Sequence, residues 1–133
     1  MTQLTEITNY MQHVLAKDNT GHSVDHINRV VALANQILIH EPSANQFIVR
    51  AAALLHDVYD DKLFTTEAEA LAAKKNLITF LQAIQVSRVE ITEMIQIIDN
   101  MSWFKSIEGN AEPLGINGQI VHDADRLEAC LLY

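Results

Sequence analysis

The chain has 133 residues, of which 49% are hydrophobic and 20% are charged, and these values fit one globular domain spanning residues 1–133. Its net charge of −8 disfavours binding to nucleic acid and to an anionic membrane surface. Cys130 is the only cysteine, which excludes an internal disulfide and favours a cytoplasmic location. No apolar run approaches the roughly 20 residues that span a bilayer, so no membrane partner is expected.

Apolar residues recur at helical spacing along the chain, and this pattern predicts an all-α, single-domain bundle of about six helices. In chain order the predicted helices cover about residues 4–17, 23–40, 43–58, 66–84, 87–100 and 118 onward. Three of them begin with a capping-box pattern: Ser43 with Gln46, Thr66 with Glu69, and Ser87 with Glu90. Residues 106–118 hold three of the four glycines and one of the two prolines, which predicts an exposed loop.

The end of the third predicted helix carries the most informative pattern in the chain. The small and apolar run 51–55 leads directly into His56 and Asp57, and Asp60 and Asp61 follow. Carboxylates are seldom buried unless they are paired or bind a metal ion. Asp60 lies four residues after His56 and three after Asp57, over the same patch of helix surface. The run therefore predicts a metal site with His56 and Asp57 as ligands.

Further ligands are predicted from two other helices. His26 falls in the first two turns of the second predicted helix, beside apolar residues. His22 lies one turn earlier and is less favoured, because it precedes the predicted start of that helix. In the last helix either Asp123 or Asp125 is the ligand, since the two side chains point about 200° apart. Asp125 is favoured because it neighbours a residue that faces inward.

The order of these residues resembles the HD-domain superfamily of metal-dependent phosphohydrolases, with His26 first, His56-Asp57 second and Asp125 last. Residues 53–61 read Ala-Leu-Leu-His-Asp-Val-Tyr-Asp-Asp and are similar to the segment Ala-Leu-Leu-His-Asp-x-x-Glu-Asp of alarmone hydrolases. Residues 124–127, Ala-Asp-Arg-Leu, are similar to the final ligand segment of the same enzymes, and this similarity supports Asp125 as the last ligand.

Over about residues 21–128 the chain most resembles a group of small bacterial HD hydrolases of undefined substrate. Members of that group continue past the last aspartate with further helices. The resemblance therefore implies that this chain is truncated at its C-terminus relative to them and that its last helix is partly uncovered. An uncovered apolar face on that helix would favour a homodimer.

The resemblance implies one divalent metal ion held by His26, His56, Asp57 and Asp125. Two imidazoles and two carboxylates suit Mn²⁺, Fe²⁺, Ni²⁺ or Zn²⁺ better than Mg²⁺, which prefers oxygen ligands and keeps several waters. Four protein ligands would leave open positions on a six-coordinate ion for water and for a phosphate oxygen of the substrate.

Four further residues are assigned to catalysis and substrate binding. Asp60 stands where alarmone hydrolases carry a glutamate, and it is expected to position or deprotonate the attacking water, or to protonate the leaving oxygen. Asp61 is expected to support this acid–base chemistry through like-charge repulsion. Arg29 and Lys62 are the candidates to bind the substrate phosphate.

The predicted function is hydrolysis of a nucleotide or another small phosphorylated metabolite through a metal-activated water. One alternative is an alarmone pyrophosphohydrolase that acts on compounds such as guanosine tetraphosphate, motivated by residues 53–61. A second alternative is a metal-binding HD module without catalytic activity, motivated by the short C-terminus. A helical bundle with a purely structural role is the third.

Overall fold

The computed structural model describes residues 2–17, 22–60, 63–101 and 115–131. The helices in these ranges are α1 (Gln3–Leu15), α2 (His22–Ile39), α3 (Gln46–Leu55), α4 (Glu67–Ala83), α5 (Arg88–Asp99) and α6 (Ile116–Leu131). The same ranges contain no β-strand, so the prediction of an all-α fold with about six helices is confirmed. Most of the predicted loop at 106–118 lies outside the described residues, and α6 begins two residues before its predicted start.

Two predicted helix starts are confirmed at the level of hydrogen bonds. At the start of α5, Ser87 Oγ accepts a hydrogen bond from the Glu90 backbone N–H at 3.2 Å, and the Glu90 side chain accepts one from the Ser87 N–H at 3.2 Å. At the start of α4, Thr66 Oγ1 accepts a hydrogen bond from the Glu69 N–H at 3.1 Å. These side chains satisfy N–H groups that have no partner inside the helix, so the local sequence fixes both starts.

The predicted start of α3 is wrong. The N-cap of α3 is Asn45 rather than Ser43, and its side-chain oxygen accepts a hydrogen bond from the Ile48 N–H at 3.0 Å. The Asn45 backbone N–H donates in turn to Asn117 Oδ1 at 2.7 Å, across 72 residues of sequence. This long-range bond stabilises Asn45 in the extended conformation of a cap. Helix α2 covers His22–Ile39, in agreement with its predicted range of about residues 23–40.

Helix α3 is the centre of the bundle. It packs against α1, α2, α5 and α6, and residues 51–53 and Leu55 have no exposed surface or almost none. The alanines in this helix have short side chains, so neighbouring helices approach it on all sides. Helix α4 lies at the periphery, where it packs on α5 and where its Phe80 stacks on Tyr10 of α1, with ring centroids 4.3 Å apart.

Helices α2 and α6 pack against each other beside the end of α3. The contact is apolar at its centre, because Ile27 and Val30 of α2 and Val121 and Ala124 of α6 are fully buried. Polar residues next to these positions in sequence are therefore brought to one edge of the core, which is where the candidate site lies.

Two large apolar side chains of α6, Ile116 and Leu127, are substantially exposed. The homodimer stays a prediction. Within the described ranges, no helix combines the length and apolar character needed to cross a membrane.

Candidate metal centre

His56 occupies the position that ends α3, so its side chain is held by the helix it terminates. Its Nδ1 lies 2.8 Å from the Ala53 carbonyl oxygen. A carbonyl oxygen only accepts hydrogen bonds, so Nδ1 carries a proton, and Nε2 of the neutral ring presents a lone pair. Among the described residues, this Nε2 is a buried side-chain polar atom without a hydrogen-bond partner. Such an atom is costly unless something binds it.

The polar groups predicted from three separate segments converge on this nitrogen. Nε2 of His56 lies 3.4 Å from Asp125 Oδ1 and 3.5 Å from Asp57 Oδ1. Nε2 of His26 lies 3.1 Å from the same Asp125 oxygen and 3.9 Å from Asp57 Oδ2. The two imidazole rings meet edge to face, with centroids 5.6 Å apart. The structure therefore brings together all four residues that the sequence proposes as metal ligands.

Asp125 faces this cluster and Asp123 does not. The Asp123 side chain is 51% exposed, and its Oδ1 accepts a hydrogen bond from Gln119 Nε2 at 2.9 Å on the same helix. The Asp125 side chain is directed between the two histidines instead. The geometry thus agrees with the choice of Asp125 as the candidate ligand.

The electrostatics of the cluster favour the addition of positive charge. Burial lowers the pKa of the His56 imidazole, but the nearby Asp125 carboxylate and the charge of Asp57 outweigh that effect and raise the pKa to about 9. The hydrogen bond with Asp125 is the main reason that the pKa of His26 is also raised. Burial would raise the pKa of Asp125, but both histidines lower it well below its ordinary range. A divalent cation would meet the same demand for positive charge as these protons.

The distances and donor types fit such a cation. Ligand atoms about 2.1 Å from one ion lie about 3.0–3.4 Å from their neighbours in octahedral or tetrahedral arrangements. Three of the four separations between the imidazole nitrogens and the carboxylate oxygens are 3.1–3.5 Å, and the fourth is 3.9 Å. The candidate ligand atoms of His26, His56 and Asp57 all lie within 4.8 Å of one another. Independent support comes from Nε2 of His56, which is buried without a hydrogen-bond partner and is therefore available to bind a metal ion.

Glu128 is a residue of this site that the sequence analysis missed. Its side chain is only 3% exposed, and its two oxygens bond to different residues of α2. Oε2 lies 2.7 Å from His26 Nδ1, and Oε1 accepts a hydrogen bond from Arg29 Nε at 2.5 Å. The sequence did contain a signal, because Glu128 lies four residues after buried Ala124 and three after Asp125, on the same helix face.

The residues assigned to catalysis and phosphate binding are only partly described. Asp60 lies in the turn that follows α3, is partly buried, and its backbone N–H donates to the Asp57 carbonyl at 3.2 Å. The Arg29 side chain is half-exposed beside the cluster. Its bond to Glu128 uses one of the five donors of a guanidinium. Asp61 and Lys62 lie outside the described residues.

A second polar network anchors the turn after Asp57. The Tyr59 hydroxyl donates to Asp99 Oδ1 of α5 at 2.9 Å, and Lys74 Nζ of α4 donates to Asp99 Oδ2 at 2.7 Å. Burial and the neighbouring charge of Asp99 raise the pKa of Tyr59, so the hydroxyl stays protonated as a donor. No sequence motif predicts this network, since its members are separated by 25 and 40 residues.

Comparison with known proteins agrees with the resemblance seen in the sequence. The profile of the HD domain family matches residues 23–130. The uncharacterized protein YpgQ of Bacillus subtilis strain 168 is 35% identical over 129 residues, which cover 97% of this chain and 61% of YpgQ. This chain therefore spans about three fifths of the length of that relative.

Solved structures show the same relationship. A crystal structure from Lactobacillus plantarum has a TM-score of 0.81 and 40% identity, and the match covers 97% of this chain and 58% of that one. An HD-superfamily hydrolase from Bacillus thuringiensis has a TM-score of 0.74 and 35% identity, with 96% and 57% covered. Bacillus subtilis YpgQ in complex with ADP has a TM-score of 0.71 and 33% identity, with 96% and 58% covered.

Proposed function

This chain belongs to the HD domain family, and we propose that it is a metal-dependent phosphohydrolase acting on a nucleotide or another small phosphorylated metabolite. The observation that carries the proposal is the convergence of imidazole and carboxylate groups on the buried, unpartnered Nε2 of His56. Two relatives support it. One is an HD-superfamily hydrolase, and the other, YpgQ, was crystallised with ADP.

In this proposal His26, His56, Asp57 and Asp125 hold one divalent ion. Two nitrogen and two carboxylate donors favour Mn²⁺, Fe²⁺, Ni²⁺ or Zn²⁺ over Mg²⁺. Such an ion, when bound, would polarise a phosphoryl group and lower the pKa of a water molecule toward about 7. Asp57 and Asp125 balance the charge of the ion, and the bond from His56 Nδ1 to the Ala53 carbonyl orients that ring toward it.

Residues outside the ligand set would then transfer the proton of the attacking water and bind the substrate phosphate. The Asp60 carboxylate, one turn beyond Asp57, accepts a proton from the attacking water or returns one to the leaving oxygen. Asp61 supports Asp60 as a neighbouring negative charge. The Arg29 guanidinium stands beside His26 and holds a phosphate oxygen, with Lys62 as a second cation.

The test combines metal analysis of the purified protein with a panel of phosphorylated substrates. Release of phosphate and of pyrophosphate is measured for nucleoside di- and triphosphates, sugar phosphates and guanosine tetraphosphate. We expect bound metal and turnover of a nucleotide in the wild type, and neither in Asp57→Ala. If guanosine tetraphosphate is the only substrate of the panel that is hydrolysed, and pyrophosphate is the product, the result would favour the alarmone hydrolase.

The same experiment identifies the other two alternatives. Full metal occupancy with no turnover on the whole panel would contradict the hydrolase and indicate a metal-binding HD module without catalysis. Absence of metal from freshly purified protein, together with failure to take up added Mn²⁺, would contradict the metal centre and leave a structural role.

A further inference from the structure

We propose that Glu128 is a positioning residue that fixes the tautomer and orientation of His26, so that Nε2 is the nitrogen offered to the metal ion. The inference rests on the proposed metal centre and adds to it a residue that lies outside the predicted ligand set. Histidine ligands commonly donate their second ring N–H to a carboxylate or carbonyl, and that partner sets which nitrogen binds the ion.

The geometry assigns the proton of the neutral His26 ring to Nδ1. The distance from Nδ1 to Glu128 Oε2 is 2.7 Å, within the range of a charge-assisted hydrogen bond. An ionised carboxylate has no proton to donate, so Nδ1 must be the donor. Nε2 is then left with its lone pair, and it is the nitrogen that lies 3.1 Å from Asp125 Oδ1 in the cluster.

Arg29 keeps Glu128 ionised in a buried setting. A carboxylate whose side chain is 3% exposed is costly as an anion unless donors compensate it. The Arg29 Nε donates to Oε1 at 2.5 Å, and His26 donates to the other oxygen from a position one helical turn away on α2. Both carboxylate oxygens are therefore fixed, and Glu128 acts as a rigid acceptor.

The two histidines of the cluster are oriented in parallel ways by different acceptors. His56 Nδ1 donates to the neutral backbone carbonyl of Ala53, whereas His26 Nδ1 donates to the charged carboxylate of Glu128. In both rings Nε2 faces the aspartates. A carboxylate partner also raises the basicity of the imidazole more than a carbonyl partner does, so Nε2 becomes a stronger metal ligand. Loss of Glu128 would let the His26 proton move to Nε2, where it blocks metal binding.

The experiment measures two properties of Glu128→Ala and Glu128→Gln. The first is the affinity for Mn²⁺ alone, followed by the decline of the signal of free Mn²⁺ in electron paramagnetic resonance. The second is the tautomer of His26 in the metal-free protein, read from ¹⁵N shifts of the imidazole at a pH where the ring is neutral. We expect Glu128→Ala to bind Mn²⁺ about 10–100-fold more weakly and to shift His26 toward the Nε2–H form.

Glu128→Gln keeps the volume of the side chain and an oxygen that can accept from Nδ1. We expect it to lose less than 10-fold in Mn²⁺ affinity, and it keeps the test decisive if the alanine variant does not fold. The matched control is Asn117→Ala, which removes the bonds from α6 to Asn45 and to Glu93 without touching His26. It should lower the melting temperature but leave the Mn²⁺ affinity and the His26 tautomer unchanged.

Wild-type Mn²⁺ affinity in both Glu128 variants, or an unchanged His26 tautomer in Glu128→Ala, would overturn the inference. An equal loss of affinity in Asn117→Ala would also overturn it, because docking of α6 alone would then explain the effect. These results differ from failure of the proposed function, which would appear in the wild-type protein itself, either as no Mn²⁺ binding at all or as bound metal with no turnover on the substrate panel.

Discussion

The two histidines of the candidate centre are built in contrasting ways. His56 lies at the end of the central helix, and its ring is held by a carbonyl three residues earlier. His26 is partly exposed on α2, and its ring is held by Glu128, which lies 102 residues away in sequence. The half of the site around His56 and Asp57 is therefore local, because it is built within one segment of the chain. The half around His26 and Asp125 is long-range, because it depends on the packing of α6 against α2. The comparison predicts that changes in α6 can abolish metal binding while α3 remains intact.

Asp125 is the residue where the two halves meet, since its Oδ1 lies near Nε2 of both histidines. We expect the largest effect from Asp125→Ala, which should lose stoichiometric metal and all measurable turnover. Metal content of the purified protein and Mn²⁺ titration measure this. Asp123→Ala is the matched control on the same helix and should retain both properties. Equal metal binding in the two variants would contradict the convergence on Asp125.

Substitution of Asp60 tests the local half of the site without changing any of the four candidate metal ligands. Asp60→Asn keeps the size and hydrogen-bonding oxygen of the side chain but removes its basicity. We expect normal metal content and a fall in turnover of about 10²–10⁴-fold, the usual contribution of a general acid or base. The substrate found in the panel supplies the assay. Hydrolysis at the wild-type rate would show that another group moves the proton.

The raised pKa of His56, caused by the neighbouring carboxylates of Asp125 and Asp57, predicts a pH dependence of stability in the metal-free protein. Its pKa is about 9 in the folded state, against about 6.5 for an unperturbed imidazole, so the folded protein binds this proton more tightly. The resulting stabilisation is fully present below pH 6.5 and is lost as the pH rises to about 9. The loss should amount to at most about 3 kcal/mol.

Urea unfolding at several pH values measures this effect, and His56→Gln is the control. The free energy of unfolding of the variant should fall less than that of the wild type between pH 6.5 and 9. Parallel curves for the two proteins would show that His56 is not the titrating group.

Tyr59→Phe is expected to have the smallest effect. The variant removes the bond from the Tyr59 hydroxyl to Asp99 and leaves Lys74 paired with the same carboxylate. We expect a loss of about 1 kcal/mol in the free energy of unfolding, with unchanged metal content. Thermal unfolding and metal analysis give the two values. A loss of metal without a loss of stability would contradict this expectation. It would show that the bond from Tyr59 to Asp99 positions the turn after Asp57 for metal binding.

The local half of the site was predictable because its signals lie within one turn of helix. The apolar run before His56 and Asp57 indicates a buried helix end that carries polar residues, and the capping-box pattern predicts the caps at Ser87 and Thr66. The cap at Asn45 was not predictable, because a bond to Asn117 stabilises it.

For the long-range half of the site, the sequence predicts the ligand residues but not the contacts that hold them in place. His26 and Asp125 were found from their positions beside apolar residues, and the order of the motif supported them. The role of Glu128 escaped prediction, since acidic residues late in an amphipathic helix usually face solvent. Only the packing of α6 on α2 shows that this one is buried against His26 and Arg29.

The most direct test of the metal centre is the anomalous diffraction of crystals grown with Mn²⁺. We predict one strong anomalous peak per chain, bounded by Nε2 of His26, Nε2 of His56 and carboxylate oxygens of Asp57 and Asp125. A peak elsewhere on the surface, or none at this cluster at saturating Mn²⁺, would contradict it.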